Sequence, residues 1–156
     1  MAKPATFRSV KIQLDIPIAA APDKVWTIFT RDTHRWWPRD FCIAPTRTKS
    51  FRIELKLGGR LYEDWGNGNG LVWWTINSLD AENHTFQVLG YEGSCICSSV
   101  RFSLQATRKK TNLHIVEQVW GDLPDHVVRI HTEGWNTLFR DGFKVYVEEK
   151  RRSKAR

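Results

Sequence analysis

Between residues 10 and 120 the apolar side chains of this sequence recur mainly at every second position, and near residue 128 that rhythm gives way to a helical one. Successive residues of a strand point to opposite faces of a sheet, whereas a helix brings every third or fourth residue to one side. A chain patterned in this way predicts one sheet made of consecutive strands and one long helix to cover it. It is not the strand–helix alternation of a parallel sheet.

The segments can be read in order. Val10, Ile12, Leu14, Ile16 and Ile18 alternate with polar residues and Pro17, which marks a half-buried first strand. Pro22-Asp23 opens a short helix, with proline in the first turn and an acid at the positive end of the helix dipole. A further turn over His34–Trp37 stops at Pro38, because the residue before proline avoids helical geometry. Phe51, Ile53, Leu55 and Leu57 alternate up to a Gly58-Gly59 hairpin. Strands follow over Leu61–Trp65, Leu71–Leu79, Thr85–Tyr91, Val100–Ala106 and Asn112–Trp120. In the last segment Val128, Trp135, Leu138, Phe139, Gly142 and Tyr146 share one helical face, with Asp125 as N-cap after Leu123-Pro124. The expected fold is α+β: six to seven antiparallel strands curved around a long C-terminal helix, two short helices after the first strand, and one domain over residues 1–156.

Charge and cysteine content narrow the function. The net charge is +7, but Lys150, Arg151, Arg152, Lys154 and Arg156 supply five of those charges, leaving +2 for the domain proper. This is a basic tail, expected to fray into solvent, and it predicts no nucleic-acid partner. No apolar run approaches the roughly 18 residues of a membrane span. Three cysteines and no secretory segment fit a reducing compartment, so the expected location is cytoplasmic.

Several motifs suggest chemistry that their context does not support. Gly66-Asn67-Gly68-Asn69-Gly70 resembles a phosphate loop, but a strand follows it where a helix N-terminus would be needed, so it reads as a hairpin. Cys95-Ile96-Cys97 lacks the spacing of a structural zinc site, even with His84, His114, His126 or His131 to complete it. No metal and no cofactor are expected. Glu63, between Leu61 and Trp65, and Glu117, between Ile115 and Val119, fall on strand faces that the pattern turns inward. A carboxylate there is either partnered or raised in pKa by desolvation, and suited to hold a polar ligand group or exchange a proton.

Together, Ala20-Ala21-Pro22-Asp23-Lys24-Val25-Trp26, Trp36-Trp37, Gly58-Gly59-Arg60-Leu61-Tyr62-Glu63 and Glu133-Gly134-Trp135 resemble, in that order, the SRPBCC superfamily, also called START-like or helix-grip. The branch they resemble is that of the bacterial homologues of the activator of heat-shock-protein ATPase. The resemblance spans nearly the whole chain and implies a space between sheet and final helix that takes a small apolar or aromatic molecule. The candidate lining is Trp37, Glu63, Trp65, Trp73 or Trp74, Phe102, Glu117, Trp120, Trp135 and Phe139, drawn from an unusually large stock of eight Trp and eight Phe. Two other readings are a cofactor-free enzyme of cyclase or hydrolase type using a cavity carboxylate, and a domain that regulates a chaperone ATPase.

Overall fold

The computed structural model describes residues 7–92, 96–108 and 110–153. Strand β1 (Phe7–Ile18) leads to helices α1 (Pro22–Arg31) and α2 (Thr33–Trp36), then a 3-10 turn at Arg39–Phe41. A meander follows: β2 (Ser50–Ile53), β3 (Arg60–Gly66), β4 (Asn69–Asp80), β5 (Thr85–Glu92), β6 (Ile96–Thr107) and β7 (Lys110–Asp122). The chain ends in one continuous helix of three stretches: α3 (Asp125–Trp135), a π-helical stretch (Asn136–Phe143) and α4 (Lys144–Ser153). The seven strands form one sheet in the order β1-β7-β6-β5-β4-β3-β2, antiparallel throughout. Pro17 is tolerated because β1 lies at an edge of the sheet.

Alternation decides the core. Ile12, Leu14, Ile16 and Ile18 of β1, Val100, Phe102 and Leu104 of β6, and Leu113, Ile115 and Val119 of β7 all turn to the same buried side. Trp135, Leu138, Phe139, Phe143 and Val147 of the final helix pack against them. Phe29 of α1 sits at the centre, its ring within 5.2–5.9 Å of Phe86, Phe102, Phe139, Phe143 and Trp36. Truncating such a ring to alanine typically costs about 3–5 kcal/mol. Among the described residues no helix is long and apolar enough to cross a membrane.

The structure corrects four local expectations. Strand β2 stops at Ile53 instead of running to Leu57, because Glu54 turns the chain: its carboxylate takes the Arg60 side chain at 2.8 Å and its carbonyl the Lys56 N–H. Leu57 is left exposed on the resulting loop. Asp125 is the first residue of α3 and not its cap; its carboxylate pairs with Arg8 at 2.6 Å. The buried face of the last helix passes through Phe143 and Val147 instead of Gly142 and Tyr146. A π turn uses more residues than an α turn, and here the Lys144 N–H bonds the Phe139 carbonyl five residues back. Each later contact therefore arrives one residue late. Finally, the helix continues through Lys150, whose ammonium lies 3.4 Å from Asp32, so the basic tail does not fray at that residue; residues 154–156 lie outside the described residues.

Candidate functional site

The interior beneath the middle of the sheet is filled with rings, and open space lies at one end. There the 37–43 loop, strands β4 and β7, and α3 surround a half-open cleft of about 310 Å³. From the loop come Trp37, Asp40, Phe41 and Ile43; from the sheet, Trp73, Trp74 and Glu117; from the helix, Ile130, His131, Gly134 and Trp135.

Two consecutive tryptophans face the same way because of a break in strand pairing. Leu61 pairs with Trp74 and Tyr62 with Val72, which leaves Trp73 as the extra residue of a β-bulge. The displaced strand presses on its other neighbour. A Cβ on Gly90, which pairs with Trp74, would meet the Trp74 ring at 2.1 Å and the Trp73 carbonyl at 2.2 Å. On the helix, His131, Gly134 and Trp135 share a face by their spacing of three and four. Gly134 leaves room for Phe41, since a Cβ there would stand 3.3 Å from the end of that ring. Trp37 stacks on Phe51 at 3.8 Å with planes 7° apart, and meets Trp73 edge-on.

The buried polar groups are placed to receive indole N–H donors. Trp74 donates to the Ser98 hydroxyl at 2.8 Å, Trp36 to the Ile28 carbonyl at 3.0 Å, and Trp135 to Glu117 Oε2 at 2.5 Å. Trp73 donates to Glu63 Oε1 at 2.8 Å and Trp65 to Oε2 at 3.3 Å. A buried indole keeps its apolar body in the core and needs an acceptor at its tip. Trp37 has the one buried side-chain N–H without a partner among the described residues.

Glu63 and Glu117 are both fully buried on the inward face, as the strand pattern predicts, and both are partnered. Their environments differ. Glu63 also takes the backbone N–H groups of Ile43 and Ala44 and the Thr48 hydroxyl, which ties the 42–48 loop to the sheet. Burial pushes its carboxyl up, but the bonds from Thr48, Trp73 and the two backbone groups outweigh burial and hold it below the usual carboxylate range. Of the two outcomes expected of an inward carboxylate, partners or a raised pKa, Glu63 shows the first. Glu117 faces the cleft, where His131 Nδ1 lies 3.2 Å from both of its oxygens. The result is a carboxylate–imidazole pair whose imidazole is itself part of the cleft wall.

Of the candidates read from sequence, Trp37, Trp73, Glu117 and Trp135 meet at this cleft, and Trp74 joins them. The others lie elsewhere. Phe102 and Phe139 fill the ring-packed core. Glu63 is consumed by its donors behind Trp73, and Trp65 is covered by the Arg47 guanidinium, 3.9 Å from its ring centre. Trp120 sits on the opposite face of the sheet, since Val119 beside it points inward. It lines an outer depression of about 340 Å³ with Val72, Leu89, Tyr91 and Cys97, to which Trp73 and Trp74 also contribute. Sequence reasoning missed Asp40, Phe41, Ile43, Ile130 and Gly134, and weighed His131 only as a metal ligand. His131 stands one helical turn before Trp135, a signal that was available; the loop residues carry none.

Among the described residues no group of three His, Cys, Asp or Glu side chains converges on a metal position, and Cys95 lies outside them. His84 and His114 are instead paired with Asp23 and Asp15. Burial, aided by the Glu63 charge, raises the Cys42 thiol to about 11, so it is no nucleophile at neutral pH.

Residues 19–148 match the model of the family described as activator of Hsp90 ATPase homolog 1-like protein. No curated protein matches the sequence. The fold is similar to that of an uncharacterized Rhizobium leguminosarum protein, at 13% identity and a TM-score of 0.66, over 94% of this chain and 99% of that one. It is also similar to norcoclaurine synthase from Thalictrum flavum in complex with dopamine and hydroxybenzaldehyde, at 16% identity and a TM-score of 0.59, over 92% and 88% of the two chains. A third similar structure is Ara h 8.0201, at 14% identity and a TM-score of 0.62, over 90% and 98%. At these identities the likeness establishes the helix-grip fold.

Proposed function

The chain belongs to the activator of Hsp90 ATPase homolog 1-like family, and from that premise we propose that it binds a small apolar or aromatic molecule in the cleft between β4, β7, the 37–43 loop and α3. The observation that carries this reading is the composition of the wall: indole and phenyl rings around one buried carboxylate–imidazole pair. Mainly apolar pockets with a few polar groups to fix orientation are the usual form of a small-molecule site. The complex of the synthase of like fold with two small aromatic compounds supports the reading at the level of the fold.

Gly134 provides the test. Leucine at this position fills the cleft from the helix side, while replacing a mid-helix glycine favours the helix by up to about 1 kcal/mol. A leucine at 134 must also displace the Phe41 ring, which offsets that gain. Gly134→Leu is expected to stay folded, as its spectrum would verify, and to lose binding of small neutral aromatics such as indole or 2-naphthol. Binding is followed through the indole N–H signals of ¹⁵N-labelled protein. A folded Gly134→Leu protein that binds such compounds unchanged would falsify the cleft as the site.

A second reading, a cofactor-free enzyme acting by proton transfer, draws on the Glu117–His131 pair. Glu117 orients the ring through Nδ1, and the imidazole exchanges a proton with the bound molecule. Under this reading His131→Asn keeps binding and loses turnover; ligands that are bound and released unchanged by the parent protein count against it. Regulation of a chaperone ATPase is suggested by the family description alone.

A further inference from the structure

We infer that the occupant of this cleft is an organic cation, an ammonium group carried on an aromatic or branched apolar body. This rests on the cleft being a binding site, as proposed above, and adds the sign of the ligand's charge.

The first argument is the segregation of charge. The sequence has 24 Lys and Arg against 17 Asp and Glu, so a surface cleft lined at random would carry basic groups. The ionisable side chains at this cleft are Asp40, Glu117 and His131, and among the described residues no Lys or Arg lines it. The lining thus sets two carboxyl groups beside a single imidazole. The nearby cations turn aside. Arg39, adjacent to Asp40, lines a separate depression of about 170 Å³ with Lys49 and His34, which shares only Trp37 with the cleft. A concave wall of one sign, on a protein of the other sign, concentrates ligands of opposite charge.

The second argument is the wall itself. Trp37 and Trp73 meet at 88°, Trp73 and Trp74 at 62°, and Trp74 and Trp135 lie within 24° of parallel. The indole planes bordering the space are therefore inclined in several directions. Each face carries the negative side of the ring quadrupole, which attracts a cation and repels an anion. The rim is apolar, with Ile43 and Ile130 about three-fifths exposed at the mouth. Among the described residues no group of three His, Cys, Asp or Glu side chains converges to hold a metal ion here. An ammonium with apolar substituents matches both the rings and the rim.

Three probes of similar size separate the possibilities: phenyltrimethylammonium, its neutral isostere tert-butylbenzene, and benzoate. Each is titrated into ¹⁵N-labelled full-length protein and read at the indole N–H signals. The ammonium is expected to bind roughly tenfold more tightly than the isostere, and benzoate most weakly. Asp40 is exposed on the 3-10 turn, so Asp40→Lys should leave the fold intact, as its spectrum would verify. It should lower affinity for the ammonium about tenfold or more and affect tert-butylbenzene much less. Equal binding of the ammonium and the isostere, or tighter binding of benzoate, overturns the cation inference while leaving the cleft a binding site. Failure of all three probes to bind overturns both.

Discussion

Glu63 and Glu117 lie on the same inward face of one sheet and present opposite problems to a designer of variants. Glu63 is surrounded by donors, so Glu63→Gln would turn an amide against N–H groups that need an acceptor. The variant is expected to lose about 1–3 kcal/mol of stability in urea denaturation. A variant as stable as the parent would show that the charge at 63 is dispensable. The pH dependence has a definite sign. The folded-state pKa of Glu63 lies below the unfolded value of about 4.3, so its contribution is complete above that pH. It is lost as pH falls through the lower folded value, and the Glu63→Gln protein should show a correspondingly shallower loss of stability on acidification. Alternation made the direction of both carboxylates legible. Their partners were not legible, because Thr48 and Ile43 reach Glu63 from a loop that carries no periodic signal, and His131 reaches Glu117 across the domain.

Two elements depart from regular geometry, and both departures shape the cleft. In β4 the bulge at Trp73 aims two successive indoles inward and forces glycine at position 90 on the neighbouring strand. Gly90→Ala is predicted to destabilise the protein by roughly 1–3 kcal/mol through overpacking and to shift the Trp73 and Trp74 indole signals. Unchanged signals and stability would mean that β5 yields at no cost. In the final helix the π-helical stretch delays every later contact by one residue, so that Phe143 and Val147 reach the core. A helical wheel drawn at 3.6 residues per turn predicts Gly142 and Tyr146 instead. The helix was evident in the sequence and its phase past Phe139 was not, because phase depends on which backbone bonds form.

At the level of the whole molecule, the sheet is joined at its far ends in sequence: Phe7 pairs with Asp122 and Ile18 with Thr111. Closing so long a loop before any contact rewards it makes folding slow, in the millisecond-to-second range typical of non-local β topologies. Stopped-flow refolding followed by tryptophan fluorescence should show that phase, and microsecond refolding would contradict it. The same topology puts the final helix across the buried face. Its π-helical stretch and α4 lie over the ring-filled core, and α3 helps frame the cleft at one end.

The sequence alone determined the architecture, because period two and period 3.6 are written residue by residue and hydrophobic burial follows them. It also determined that Glu63 and Glu117 point inward and that Trp135 faces the sheet. For Trp120 the same alternation, applied to its neighbour Val119, already pointed outward. Only the tertiary structure decided which aromatic rings fill and which ones line. Phe102 and Trp135 have the same inward pattern, but one is covered by Phe29 and the other borders open space. That distinction depends on where an irregular loop, a bulge and a helix come to rest against one another. Packing at a distance settles it, and no local pattern in the chain encodes it.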